Sequence, residues 1–324
     1  MKEENLVGTT DKKQTEQKST PIWRWLLTIA AVGLFIYQFT RQDTREIFDT
    51  LKNIPIELLL GSMLLLFASR FAIAARWNAL LKINEPKPKY VQSLKITFAG
   101  LFANNFLPTS IGGDVVRLMM CTQANLDAAY VTSSLVMDRI VGFTGMFFFM
   151  PFGLAMWINS PDNPFAASAF FMLPFAMAFS DVFKKVWETI KKFFFKIWDS
   201  LKLWFKNPRY LLEALGYTFL HMFFFFSAMW IYMQALQVDI SLFKLGAIYS
   251  LSYVISLFPI SIGSLGIQEM AISYFFSTLG NVPAESAYAL ALIIRISFLI
   301  CSAPGIFFLP DLGRKTKSTS NAKD

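Results

Sequence analysis

Two cysteines in 324 residues, Cys121 and Cys301, are too few for a disulfide framework. Neither belongs to a CxxC pair, so no thiolate metal site is implied, and both read as small apolar packing residues. Histidine is scarcer still. His221 lies alone among phenylalanines with no acidic residue near it in sequence, which reads as a hydrogen-bonded packing position rather than a proton relay. There is no Walker A sequence, no HExxH and no GxSxG, and no polar stretch long enough for a soluble catalytic domain. The expectation is a chain that is not an enzyme and needs no metal or cofactor. Charged residues make up only 16% of the chain. The net charge of +8 does not point to nucleic acid, because Lys and Arg gather in short loops between apolar runs, as cytoplasmic loops of membrane proteins do.

What is present is hydrocarbon. Hydrophobic residues make up 55% of the chain and 35 residues are Phe, more than a soluble core of this size absorbs. Runs such as 25–39, 57–81 and 141–158 approach or exceed the roughly 20 residues that span a bilayer as helix. They lack the period-2 alternation of barrel strands, so the fold class is all-α and polytopic. Residues 1–20 are polar and read as disordered. The apolar run after them is too long for a signal-peptide core, has no small-residue cleavage site, and reads as a retained first span.

Basic residues orient the chain. The segment 184–209 carries eight Lys and Arg, with aromatics at helical spacing, and reads as an amphipathic helix on the cytoplasmic surface. Segments 82–95 and 313–324 are also basic and go inside, whereas 159–164, 237–241 and 280–286 lack Lys and Arg and go outside. The loop 41–55 has three basic residues and runs against this rule. The sum is six full crossings, at about 22–40, 57–81, 129–158, 165–183, 208–236 and 286–309, with both termini inside at the plasma membrane. Regions 90–127 and 243–281 must each enter and leave on one face.

Each of those regions holds a related motif. "FLPTSIGGD" begins at Phe106 and "LFPISIGSLG" at Leu257, so Pro108 matches Pro259 and Ser110-Ile111-Gly112 matches Ser261-Ile262-Gly263, all 151 residues apart. Extended outward, the offset maps about 57–158 onto 208–309, two halves of opposite orientation, as in many secondary transporters. Proline ends a helix and the glycines let the backbone turn, so each region reads as a re-entrant hairpin of two half-helices. A new half-helix starting near Gly112 and Gly113 presents free N–H groups that attract an anion.

Ionisable residues inside a membrane cost roughly 2.5 to 3.5 kcal/mol each and usually face a cavity or one another. Arg70 lies midway along the second span, and Asp138 and Arg139 lie about 15 Å into the third. Asp114, Arg117 and Glu269 flank the two breaks, and Arg295 sits on the last span. All seven can reach one midplane region. Four Arg against three carboxylates make that region cationic and suited to phosphate, which the guanidinium fork binds through paired oxygens. The competing reading is a fixed set of ion pairs clamping the bundle. Arg76, near the inner face, reads as a headgroup anchor, and Lys95 and Asp127 as interfacial.

"NNFLPTSIGGDVVR" (104–117), "MDRIVG" (137–142), "FPISIGSLGIQE" (258–269) and Arg295 resemble the flippase-like transmembrane region of lysylphosphatidylglycerol synthases, over about residues 22–310. The resemblance implies movement of an anionic or aminoacylated lipid between leaflets. Headgroup contacts would come from Arg117, Arg139, Arg295, Asn104, Asn105, Gly112 and Gly113, with Asp114, Asp138, Glu269 and Arg70 orienting them or coupling protons. The family's second motif usually has a glycine pair followed by Arg-Glu, where this chain has Ser264 and Gln268-Glu269. A soluble lysyl-transferring domain is not among these residues, so lysyltransferase activity is not expected. The expected partners are membrane lipids, a phospholipid or a polyprenyl-phosphate lipid, and not nucleic acid. The alternatives are a non-transporting partner of a separate lipid-modifying enzyme and a membrane-embedded transferase.

Overall fold

The computed structural model describes residues 52–85, 87–107, 112–160, 202–257 and 264–309, with isolated positions between 29 and 49. The bounded elements among the described residues are all helical. They are α1 (Ile56–Leu81), α2 (Tyr90–Phe106), α3 (Gly112–Gln123), α4 (Ala128–Ile158), α5 (Pro208–Ala235), α6 (Leu242–Ser256), α7 (Ile267–Gly280) and α8 (Ala284–Ser302), which runs into a 3₁₀ turn, Ala303–Phe308. The crossings expected at 22–40 and 165–183, the N-terminal 20 residues, the basic tail and most of the surface helix 184–209 lie outside the described residues, isolated positions aside. So do both motif turns, 108–111 and 258–263.

Local sequence sets the helix ends. Asp127 accepts the Tyr130 N–H at 2.7 Å and caps α4, and Ser241 accepts the Lys244 N–H at 3.3 Å and caps α6. Pro208 opens α5, where its missing N–H leaves no hydrogen bond unmade. Asn281 stops α7 in the left-handed conformation, with φ 54°. At the far end of α1, Tyr130 Oη and Trp204 Nε1 both donate to the Leu80 carbonyl, at 3.0 and 3.3 Å. Their rings stack with centroids 6.1 Å apart. This aromatic pair satisfies a carbonyl that the helix itself leaves open.

Four of the helices, α1, α4, α5 and α8 with its 3₁₀ extension, are long and apolar enough to cross a membrane. The other four have 12 to 17 residues. At helical rise none exceeds about 26 Å, less than the roughly 30 Å hydrocarbon core. Large apolar side chains such as Leu60, Leu64, Phe148 and Phe223 stand exposed on the long helices. That surface would drive aggregation in water and is at home in lipid. The protein is a multi-pass membrane protein.

Packing crosses between the two parts of the chain. α1 lies closest to α5, α2 packs on the 3₁₀ turn after α8, and α6 packs on α4. A glycine permits each of the last two contacts. A Cβ at Gly305 would run into the Phe98 carbonyl of α2, and a Cβ at Gly153 into the Ala247 carbonyl of α6.

Candidate functional site: two carboxylate–arginine clusters

Asp114 is the third residue of α3 and Glu269 the third residue of α7. Both stand in a first helical turn, where unpaired N–H groups favour negative charge. Glu269 Oε2 accepts the Gly266 N–H at 2.8 Å. The helix ends read from sequence as anion sites are therefore already furnished with the chain's own carboxylates.

Each of these carboxylates meets an arginine of the following long helix. Arg139 on α4 donates to Asp114 Oδ2 at 2.6 Å, and Arg295 on α8 donates through Nε to Glu269 Oε1. The partners are 25 and 26 residues apart. The structural correspondence between the two pairs is thus offset by about 155 residues rather than the 151 of the motifs. Ser264 and Gly266, just before α7, both have positive φ, 56° and 80°.

The first pair extends into a longer chain of charges. Arg117 Nη1 donates to Asp114 Oδ1 at 3.2 Å, and Nη1 and Nη2 reach Asp138 Oδ2 at 3.2 and 3.1 Å. Asp138 Oδ1 accepts Arg76 Nε at 2.7 Å. The Arg117 guanidinium also lies over the Trp77 ring, 3.9 Å from its centroid, and Trp77 Nε1 donates to Ser134 Oγ at 3.2 Å. Among the described residues, Arg76–Asp138–Arg117–Asp114–Arg139 alternate in sign along one chain of ion pairs.

Two expectations are corrected. Arg76 is not a headgroup anchor: it is only 9% exposed and pairs with Asp138, 62 residues away, which its position in sequence could not disclose. The seven charges do not form one group. They divide into the five-membered chain that includes Arg76, the Glu269–Arg295 pair, and Arg70, which has no ion pair among the described residues. The Arg117 fork is held by two carboxylates of the protein, Asp114 and Asp138.

The remaining site residues scatter in role. Asn105 donates to Ser302 Oγ at 2.8 Å and ties α2 to the end of α8, while Asn104 is exposed. Gly112 and Gly113 are buried, and a Cβ on Gly113 would meet the Gly100 carbonyl, so close packing of α2 on α3 demands a residue without one. Gly113→Ala is expected to lower stability by about 1 to 3 kcal/mol through this clash, measured by thermal unfolding in detergent. His221 hydrogen bonds with Ser69 Oγ at 2.8 Å. A cavity of about 520 Å³ opens between α1 and α5, with Phe71, Asn78, Lys82, Tyr217 and Phe224 on its walls, and touches none of the clustered charges.

Of the four paired arginines, Arg139 is the most accessible. Its side chain is 39% exposed, against 10% for Arg117, 11% for Arg76 and 17% for Arg295. Tyr253, in electrostatic reach of Arg139 and Arg76, and Tyr249, in reach of Arg70 and Arg295, stack 6.4 Å apart and lie between the clusters.

A helical bundle with spanning helices, interrupted by short helices whose first turns hold ion pairs to the long helices, defines a multi-pass membrane protein with a polar interior. The description "Lysylphosphatidylglycerol synthase TM region" matches residues 22–305, and the chain belongs to that family. It is also similar to a UPF0104 membrane protein of Methanothermobacter thermautotrophicus, with 22% identity covering 83% of this chain and 89% of that protein. No solved structure matches.

Proposed function

We propose that this protein moves a phosphate-bearing lipid, a phospholipid or a polyprenyl-linked carrier, between the leaflets of the plasma membrane. Both termini then lie on the cytoplasmic side. Residues 22–310 form one transport domain, built as an inverted repeat of about 57–158 and 208–309 around two re-entrant hairpins. The observation that carries this reading is an excess of guanidiniums over carboxylates in the interior among the described residues. Five guanidiniums, on Arg70, Arg76, Arg117, Arg139 and Arg295, accompany three carboxylates. A bundle clamped only by ion pairs has no use for unmatched charge, which is expensive to hold in hydrocarbon. Arg139 is the accessible end of the charge chain and the position best placed to meet a headgroup.

The repeat is supported by the reciprocal packing of α2 on the end of α8 and of α6 on α4, each through a glycine against a carbonyl. The short lengths of α2, α3, α6 and α7 support hairpins rather than crossings. The similar placement of Asp114–Arg139 and Glu269–Arg295 supports a site made of two related halves.

The test is reconstitution of the purified protein in vesicles carrying fluorescent phosphatidylglycerol or a fluorescent glycosphingolipid without phosphate. The expected result is faster exchange of the phospholipid between leaflets than in protein-free vesicles, with little acceleration of the glycolipid. Equal rates with and without protein would favour a non-transporting role beside a separate lipid-modifying enzyme.

A further inference from the structure

Among the described residues, Arg70 is a buried arginine with no ion-pair partner. It is the fifteenth residue of α1, about 16 Å along the helix from Leu81, and only 8% of it is exposed. Its Nε is buried and has no hydrogen-bond partner. Its neighbours are neutral. The guanidinium lies 4.5 Å from the centre of the Phe298 ring, with Tyr249 and Cys301 in electrostatic reach. His221, also nearby, is engaged with Ser69. A ring face offsets only part of the loss of hydration of a buried guanidinium, and a bound water would solvate the charge without neutralising it.

We infer that Arg70 and Tyr249 form a buried anion site for one phosphate group, distinct from the two ion-paired clusters and deepening the proposed transport of phosphate-bearing lipids. Arg70 has a whole fork of donors to offer, whereas those of Arg117, Arg139 and Arg295 are engaged with carboxylates. Tyr249 is also in electrostatic reach of Arg295. The anion site is thereby linked to the Glu269–Arg295 pair. A phosphate on Arg70 would supply the negative charge that the described residues around it do not, and its departure would leave the site strained. Binding there therefore favours a closed arrangement of α1, α6 and α8 around the ligand.

The sign of a stability change tests this. The full-length protein in neutral detergent is heated alone and with short-chain phosphatidylglycerol, with inorganic phosphate, or with short-chain diacylglycerol, which has no phosphate. The wild-type melting temperature should rise with phosphatidylglycerol and not with diacylglycerol. A comparable rise with inorganic phosphate alone would identify a free anion as the occupant, and no rise with inorganic phosphate would identify the lipid. Both keep the site. Arg70→Met and Arg70→Gln should melt at or above the wild-type temperature without ligand, because a stranded charge has been removed. Both should need at least about tenfold more ligand for any rise. A lower melting temperature in the two variants without ligand would make Arg70 a structural clamp on Phe298. An undiminished response, or no response in the wild type, would also overturn the site. Because no translocation is measured, failure here is separable from failure of the transport reading.

Discussion

Asp138→Ala is expected to be the most damaging single substitution in the protein, lowering stability by about 3 to 5 kcal/mol. The Asp138 side chain is 4% exposed and each of its oxygens receives a different arginine, Arg76 at Oδ1 and Arg117 at Oδ2. Removing the carboxylate leaves two buried guanidiniums facing each other, and only Arg117 retains another carboxylate, Asp114. Losing one partner of a buried pair is worse than losing the pair, because the survivor keeps its desolvation penalty and loses its compensation. Adding Arg76→Met to Asp138→Ala should therefore recover part of the lost stability, a non-additive result that a simple loss of packing would not give. Thermal unfolding of the purified single and double variants in one detergent measures this. A double variant less stable than Asp138→Ala would show that Arg76 holds the bundle by other means.

The membrane class and the four long helices could be read from the chain because apolar length alone specifies them. Ile56–Leu81 and Pro208–Ala235 differ from the expected spans by one residue at an end. The charges that belong inside were visible too, since an Asp or Arg in a long apolar run stands out. Their partners were not visible. Asp138 and Arg139 are adjacent, yet successive residues of a helix point about 100° apart, so one turns to Arg76 and Arg117 and the other to Asp114. Arg76 looked like an interfacial residue because snorkelling and pairing place an arginine at similar distances from a helix end. The 151-residue spacing matched identical letters in the motifs, whereas the two carboxylates are related by the starts of their helices. The two measures differ by about one turn of helix. Phenylalanine-rich helices also conceal which face is buried, since lipid and protein interior select the same side chains. Phe223 is exposed and Phe226 buried on one face-ambiguous run.

Arg139→Ala is expected to reduce lipid translocation by about tenfold to a hundredfold while leaving the melting temperature close to wild type. The magnitude is that of a lost charge-assisted hydrogen bond, about 1.5 to 3 kcal/mol. The separation of activity from stability follows from exposure. The Arg139 side chain is 39% exposed, and when it is removed Asp114 still has Arg117 at 3.2 Å. The Asp114 carboxylate keeps a cation. Arg117 should behave in the opposite way. Its fork spans Asp114 and Asp138 while its face rests on Trp77, so even Arg117→Lys keeps the charge but loses the bridge and the stacking. A stability loss of about 1 to 3 kcal/mol is expected for that conservative change. Initial exchange rates in vesicles and melting temperatures in detergent, taken on the same preparations, separate the two residues. If Arg139→Ala moves lipid at the wild-type rate, the accessible end of the charge chain does not touch the headgroup. If Arg117→Lys is as stable as wild type, the fork is not what joins Asp114 to Asp138, and a single cation between two carboxylates is enough.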